Sequence, residues 1–558
     1  MTQGASAMIP QAESEAALAA GVTADNVGLA MLKAIRGYGV DTVFGIPGTH
    51  NLEFYRHFER LGFHAVTTRH EQGAGYAADA WSQRTGLPGV VITTSGPGLL
   101  NALSAAGTAY CESRPMIIVS PGVPQGEEFA DIGSLHETKD QVAAAAAIVE
   151  WARRVQTAEE AIEAVHDAFQ LFHTSRPRPV YIEVPLNLLE GPCDVPAEAL
   201  EARVFESGQA LDPELVRAAA ATLRDAKRPA ILAGGGSVSA HTELRALAER
   251  LGAPVATSLN GKGALPEAHP LSLGSDLRLE SVRAVLNEAD ALLVVGSKIG
   301  QSELWGGEIA PSGELIRVDI LESQRHKNAR STQALIGDAT EALEALLAEL
   351  GAAETSPEPV IDVARVKQRS FDESAAFAPL EDGLAKRIAA ILPEDAIVTG
   401  DSSQITYYGM STHVRSAEPG AFMYMAAYAT LGYGLPAAIG AKVASPEQPV
   451  IGVIGDGALM FSIQELMTAV EQGLDITIVC VDNGGYGEIQ QNEADRGIAP
   501  VGVQLAQPNW PALVEAFGGK GFAVTTEADL EPVIREAIAV TGVTLVHVPL
   551  ALFAAELA

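Results

Sequence analysis

Pro449 to Ile489 reads PVIGVIGDGALMFSIQELMTAVEQGLDITIVCVDNGGYGEI, and this stretch decides the fold. It holds two apolar, β-branched runs, Val450 to Ile454 and Ile476 to Val481, each ending in a carboxylate or carboxamide beside glycine. Between them, Ser462 to Glu471 sets Ile463, Leu466, Met467 and Val470 at the spacing of a helix with one buried face. The stretch therefore predicts a strand, helix, strand unit. Parallel strands in such a unit open their carboxyl ends onto one edge of the sheet, where ligands of open α/β sheets bind. Asp456 and Asn483 meet at that edge. With a backbone carbonyl of Gly484 or Gly485 they make a hard oxygen set suited to Mg²⁺. Gly455 and Gly457 let the backbone approach a diphosphate held by that ion. Two tight turns in a buried sheet are the plainer reading of the same residues.

Outward from this unit, short apolar runs alternate with helical patterns along most of the 558 residues, which is the rhythm of parallel sheets covered by helices. Strands are expected at 42–46, 65–68, 90–94, 116–120 and 180–184, then at 230–233, 254–258, 291–295 and 315–318. A third set is expected at 396–399, 450–454, 476–481, 521–525 and 544–548. The proline-bearing stretches Gly191 to Gln209 and Gly351 to Phe377 read as linkers. The expected organisation is a flexible tail at 1–21, then α/β domains at 22–190, 210–350 and 378–558. No internal repeat is visible, although the first and third domains share a rhythm.

Composition narrows the function classes. A hydrophobic share of 47% with 19% charged residues describes a globular protein. Seventy acidic against 37 basic residues give a net charge of −33, which disfavours nucleic acid and anionic membranes as partners. Three scattered cysteines make neither a disulfide framework nor a zinc site, and a cytoplasmic location fits them. The first residues carry no basic start followed by an apolar run, so neither a signal peptide nor a membrane span is expected there.

The GDG at 455–457 stands 24 residues before Asp482-Asn483. Arg69-His70-Glu71-Gln72-Gly73-Ala74 lies far upstream. Together these resemble the thiamine diphosphate enzymes related to acetolactate synthase and pyruvate decarboxylase. Asp482 replaces the first asparagine of the family signature, and the resemblance puts the metal on Asp456, Asn483 and the glycine carbonyl, Gly485 being the candidate. It makes Glu71 the carboxyl group that activates the cofactor against its pyrimidine ring, a role that an apolar setting suits. A lone acid at a helix start, favoured by the dipole, is the alternative.

The same resemblance assigns the remaining candidates. Pro47 and Gly48 belong to a turn that faces the thiazolium, and His50 acts on the substrate as acid or base unless it is simply a turn histidine. Ser95 and Gly96 lie beside the pyrimidine, and His136 belongs to an active-site loop. Ser402, Ser403 and Gln404 meet the diphosphate, or cap a helix. Leu431 wedges under the cofactor and bends it, which brings its amino group to the reacting carbon. Ala458, Tyr486 and Gly487 complete the cradle around Gly455 and Gly457. The family's reaction is loss of CO₂ from a 2-oxo acid on the cofactor.

Glu488 departs from acetolactate synthases, which carry an apolar residue there. A carboxylate suits a cationic or hydroxyl-bearing substrate tail, with Glu493 and Asp495 as possible additions, or it is an acidic helix start. The GIPGTH, RHEQGAG, LHETKDQ and GYGEI segments resemble the subgroup that includes 5-guanidino-2-oxopentanoate decarboxylase. A carboligase that joins the activated fragment to a second carbonyl is the alternative.

Gly234-Gly235-Gly236 after a strand raises a flavin or nicotinamide oxidoreductase, but no GxGxxG with a downstream acid follows. Gly296 to Gln301 also lacks the Arg-Phe-Asp-Asp stretch beside which acetolactate synthases bind FAD, so FAD is doubtful. A non-catalytic homologue would have lost Glu71 or the metal ligands, and all are present. The resemblance implies a homodimer or homotetramer with active sites between subunits.

Overall fold

A computed structural model of the chain describes residues 26–206, 210–351 and 358–557. The expected tail at 1–21 lies outside these residues. Three six-stranded sheets, parallel throughout, form the described chain. The first has the order β2-β1-β3-β4-β6-β5, with β1 Thr42–Gly45, β2 His64–Thr67, β3 Gly89–Ile92, β4 Met116–Gly122, β5 Trp151–Arg154 and β6 Val180–Pro185. The second runs β12-β11-β10-β7-β8-β9, from β7 Pro229–Ala233, β8 Val255–Thr257, β9 Ser272–Gly274, β10 Ala291–Val295, β11 Glu314–Asp319 and β12 Gln333–Ile336. The third runs β14-β13-β15-β16-β18-β17, from β13 Ile397–Gly400, β14 Phe422–Met423, β15 Val450–Gly455, β16 Ile476–Asp482, β17 Lys520–Ala523 and β18 Val543–Pro549.

The shared rhythm of the first and third domains thus becomes an identical strand order. In each, the order reverses between the first and third strands, and the crevice at that switch point is where open α/β sheets take ligands. In the first sheet the crevice lies between the ends of β1 and β3, which lead into Ile46 to His50 and Thr93 to Gly96. In the third it lies between β13 and β15, which lead into Asp401 to Gln404 and Asp456 to Ala458. The middle sheet has its switch between β7 and β10. There the backbone of Gly236 donates to the Gly296 carbonyl at 3.0 Å, and a Cβ on Gly236 would come within 2.9 Å of Gly296 Cα. Close packing of two turns accounts for the Gly234 to Gly236 run.

One apolar core joins the first and third sheets, while the middle sheet has cores of its own. Helix Glu71–Thr85 of the first unit crosses helix Gly434–Ala444 of the third at backbone distance. A Cβ on Gly440 would fall on the Ala77 carbonyl. The later part of the stretch 351–377 is not the linker expected. Residues 363–377 form helix Val363–Phe377, in which Glu373 receives the Ser281 N–H and Ser374 receives Arg278, so it packs on the middle unit. Its polar and charged surface hides the short buried face, and the prolines precede it. The helix expected from Ser462 begins at Glu465, after a one-turn helix, Asp456–Leu459, that starts at the metal-ligand candidate itself. No helix among the described residues is long and apolar enough to cross a membrane.

Candidate active site

The turn after β13 is fixed by Asp401, whose buried carboxylate accepts the N–H groups of Ser402, Gly432 and Gly434 at 2.7 to 3.1 Å. Burial pushes that carboxyl up to about 6. One side chain thereby sets both the Ser402 turn and the segment carrying Leu431. Ser403 Oγ accepts the Gly455 N–H at 3.2 Å and couples the ends of β13 and β15. Ser402 Oγ is buried without a hydrogen bond among the described residues, although it borders an open cavity. Such an orphan fits a phosphate oxygen.

Beside it, Asp456 Oδ1, the Gly485 carbonyl and the Asn483 side-chain amide converge. One terminal atom of that amide lies 3.1 Å from Asp456 Oδ1 and 3.0 Å from the Gly485 carbonyl. As nitrogen it donates to both, which satisfies the amide by itself; as oxygen it completes a three-oxygen set for a cation. An edge of about 3.0 Å is what an octahedron has when its oxygens lie about 2.1 Å from a hard dication. Burial, with Asp482 nearby, pushes the Asp456 carboxyl up to about 6, and a cation would hold it ionised. Gln507, not anticipated from the sequence, donates to Asp456 Oδ2 at 2.6 Å and orients it. Asp482 is committed elsewhere, to His547 at 2.8 Å and the Gly484 N–H at 2.9 Å. The Gly484 carbonyl accepts the Leu505 N–H at 2.9 Å, which leaves the carbonyl of Gly485, a residue with φ +142° that bridges Gln504.

These groups line one cavity of about 700 Å³, together with Gln404, Leu431, Gly457, Ala458, Tyr486, Gly487 and Glu488. Gly457 is needed because a Cβ there would meet Tyr486 Cδ1 at 2.9 Å. Beyond the oxygens, the cavity extends along a wide helical turn, Ile405–Met410, a rare geometry that collects at functional sites. Glu488 lies in the first turn of helix Gly487–Asp495 and also faces this space. Its Oε2 accepts the hydroxyls of Tyr408 at 2.6 Å and Tyr407 at 3.2 Å. Burial and the Glu488 charge push both phenols well above their usual range. Glu493 and Asp495 do not line the cavity; Glu493 receives the Val501 N–H and Asp495 receives Gln491. The middle unit, to which the sequence assigned no site residue, contributes Arg278, Glu303 and Trp305. Burial pushes Glu303 up to about 7.

The first-unit candidates lie apart from these, and three of the seven, His50, Ser95 and His136, line a second cavity of about 560 Å³. His50 is half-buried, its Nδ1 is 2.6 Å from Ser95 Oγ, and its ring meets the His136 ring edge-on at 5.2 Å. Burial first, then the neighbouring His136, lowers the His50 pKa. Pro47 is exposed, and Gly48 packs where a Cβ would lie 2.9 Å from Thr94 Cβ. Gly96, at φ +60°, passes under the His136 carbonyl. Gln141 ties these loops by accepting the Gly96 N–H at 3.0 Å and donating to the Pro121 carbonyl at 2.9 Å. Glu71 is the buried first residue of its helix. Asn101 donates to its Oε2 at 3.0 Å, and a Cβ on Gly98 would sit 3.2 Å from Oε1. The preceding Arg69 N–H is held at 3.1 Å by Glu465 of the third unit. Glu71 borders neither cavity, and the two cavities share no lining residue.

Three family models match the chain. They are those of the thiamine pyrophosphate enzyme N-terminal TPP binding domain over residues 25–144, the central domain over 216–346 and the C-terminal TPP binding domain over 404–548. Among curated proteins, a probable 2-ketoarginine decarboxylase of Pseudomonas aeruginosa is 39% identical over 93% of both chains. Acetolactate synthase isozyme 1 large subunit of Escherichia coli is 32% identical over 91% of both. A probable acetolactate synthase large subunit of Methanocaldococcus jannaschii is 31% identical over 91% of this chain and 89% of its own.

Proposed function

The chain belongs to the thiamine pyrophosphate enzymes, and from that premise we propose that it removes CO₂ non-oxidatively from 5-guanidino-2-oxopentanoate, the 2-oxo acid named for its Pseudomonas relative. The observation that carries the reading is Glu488, a fixed carboxylate in the cavity that begins at the converging groups of Asp456, Asn483 and Gly485.

In this reading the three oxygens hold Mg²⁺. Gly455 to Ala458, Ser402, Ser403, Gln404, Tyr486 and Gly487 would receive the diphosphate, and Leu431 would support the cofactor from the same cavity wall. Pro47, Gly48, Ser95 and Gly96 line its ring end. Bound thiamine diphosphate supplies an acidic thiazolium carbon and a sink for the electrons left by departing CO₂. Asn101 holds Glu71 Oε2 and leaves Oε1 open, so Glu71 would face the pyrimidine end of the cofactor with a carboxyl oxygen able to hold or release a proton. Ser95 engages His50 Nδ1, which leaves Nε2 to exchange a proton with substrate. Burial first, and then the adjacent His136, lower the His50 pKa and so favour its neutral form. Glu488 pairs with the cationic tail.

Two cavities with no shared lining residue support a homodimer or homotetramer in which the Glu71 half of one protomer meets the Asp456 half of its partner. Cytoplasmic residence belongs to the same reading, supported by three unpaired cysteines. The acetolactate synthase relatives favour carboligation as the second reading, which differs in whether a proton or a second carbonyl ends the reaction. A panel of 2-oxo acids, supplied with thiamine diphosphate and Mg²⁺ and scored for CO₂, aldehyde and acetolactate, decides between them. Acetolactate from pyruvate with an inert guanidino acid overturns the proposal.

A further inference from the structure

Resting on the decarboxylase reading, we propose that Glu381 is a specificity-determining residue that forms, with Glu488, a two-carboxylate seat for the flat cationic tail of the 2-oxo acid. Glu381 stands in the first turn of helix Pro379–Ala389 and lines the cavity that holds Asp456 and Glu488. A helix start welcomes an acid, but the dipole does not account for a side chain half-buried in a cavity beside a second carboxylate. Glu488 is committed to two phenols and to Gln404 Nε2 at 3.3 Å. The Glu381 carboxylate has no side-chain partner among the described residues, and burial followed by the Glu488 charge raises its pKa.

The walls are aromatic. Phe377, Tyr408 and Trp305 stand with ring centroids 5.3 to 5.8 Å apart. Among the described residues Arg278 is the one basic side chain lining the cavity, and it is already engaged. It stacks 5.2 Å over Trp305, donates to Ser374 and Thr412 at 2.8 and 3.1 Å, and lies 3.7 Å from Asp276. Glu381 and Glu488 thus share an aromatic-walled cavity in which no basic side chain among the described residues is left unengaged. A guanidinium relieves their repulsion, spans both, and stacks on the rings, being planar and weakly hydrated. A neutral or acidic tail leaves two like charges buried together.

The test compares wild type with Glu381→Gln, each loaded with thiamine diphosphate and Mg²⁺, on 5-guanidino-2-oxopentanoate and the uncharged 2-oxohexanoate. The glutamine variant is expected to lose about 10- to 100-fold in kcat/KM on the guanidino acid, chiefly through KM, as loss of a charged pair implies. Activity on 2-oxohexanoate holds or rises. Calorimetric binding of 4-guanidinobutanoate weakens in parallel. Should the glutamine variant not fold, Glu381→Asp, which keeps the charge one methylene short, is expected to give a smaller loss of the same selectivity. Equal losses on both acids, or an unchanged guanidino acid, overturn the role of Glu381 while leaving the decarboxylase intact. A wild type that does not prefer the guanidino acid overturns the substrate reading and this proposal with it.

Discussion

At the scale of the residue, the site depends on side chains held by one partner and left open at the other atom. Glu71 is the clearest, with Asn101 on Oε2. Glu71→Gln preserves volume and the Asn101 contact but cannot carry the proton, so it should leave the melting curve unchanged and lower CO₂ release at least about 100-fold. Retained turnover would remove Glu71 from the mechanism. His50 gives a signed pH effect. Burial and His136 lower its pKa, so the neutral base persists to lower pH than an ordinary histidine allows. In His136→Ala both causes weaken, the His50 pKa rises, and the acid limb of the kcat/KM profile should move to higher pH. A limb that stays in place shows that His50 does not titrate in that profile. Residues clustered within a few positions of a glycine turn, such as Asp456 or Ser95, were legible in sequence because each turn brings its own ligand groups. Glu381 and Trp305 were not, because each reaches the cavity from a different element, nor was Gln507, which meets Asp456 from a loop; the local sequence says only helix start, aromatic or loop.

Elements repeat the lesson in another form. The interior strands were all legible, since a strand with neighbours on both sides and helices on both faces must be a continuous apolar run, as in Ala291–Val295. The four strands that the sequence did not announce, β5, β9, β12 and β14, are all edges of their sheets. An edge pairs on one side only, so Trp151-Ala152-Arg153-Arg154 can be strand while half its side chains are charged. The helix pair Glu71–Thr85 and Gly434–Ala444 carries a different constraint, closeness of backbones. Gly440→Ala is normally mild or favourable in a helix. Here its methyl would strike the Ala77 carbonyl, so a loss of about 3 kcal/mol or more is expected, read as a fall in the denaturation midpoint. A neutral result would mean that the two helices slide apart freely.

For the whole molecule, the proposed division of the site between protomers is what a mixing experiment decides. Glu71→Gln and Asp456→Asn should each be inactive alone. Reassembled together, mixed dimers would hold one site with both native halves, and activity should return to about a quarter of wild type when subunits pair at random. No recovery would place both halves in the same protomer's site. The core shared by the first and third sheets has a further consequence, in the time of synthesis. Helix Glu71–Thr85 leaves the ribosome long before its packing partner Gly434–Ala444 has been made, and 348 residues separate them in the chain. At translation rates of about 5 to 20 residues per second the earlier helix waits roughly 20 to 70 s with its small-residue face uncovered, a window in which chaperones rather than the fold must keep the growing chain from sticking to its neighbours.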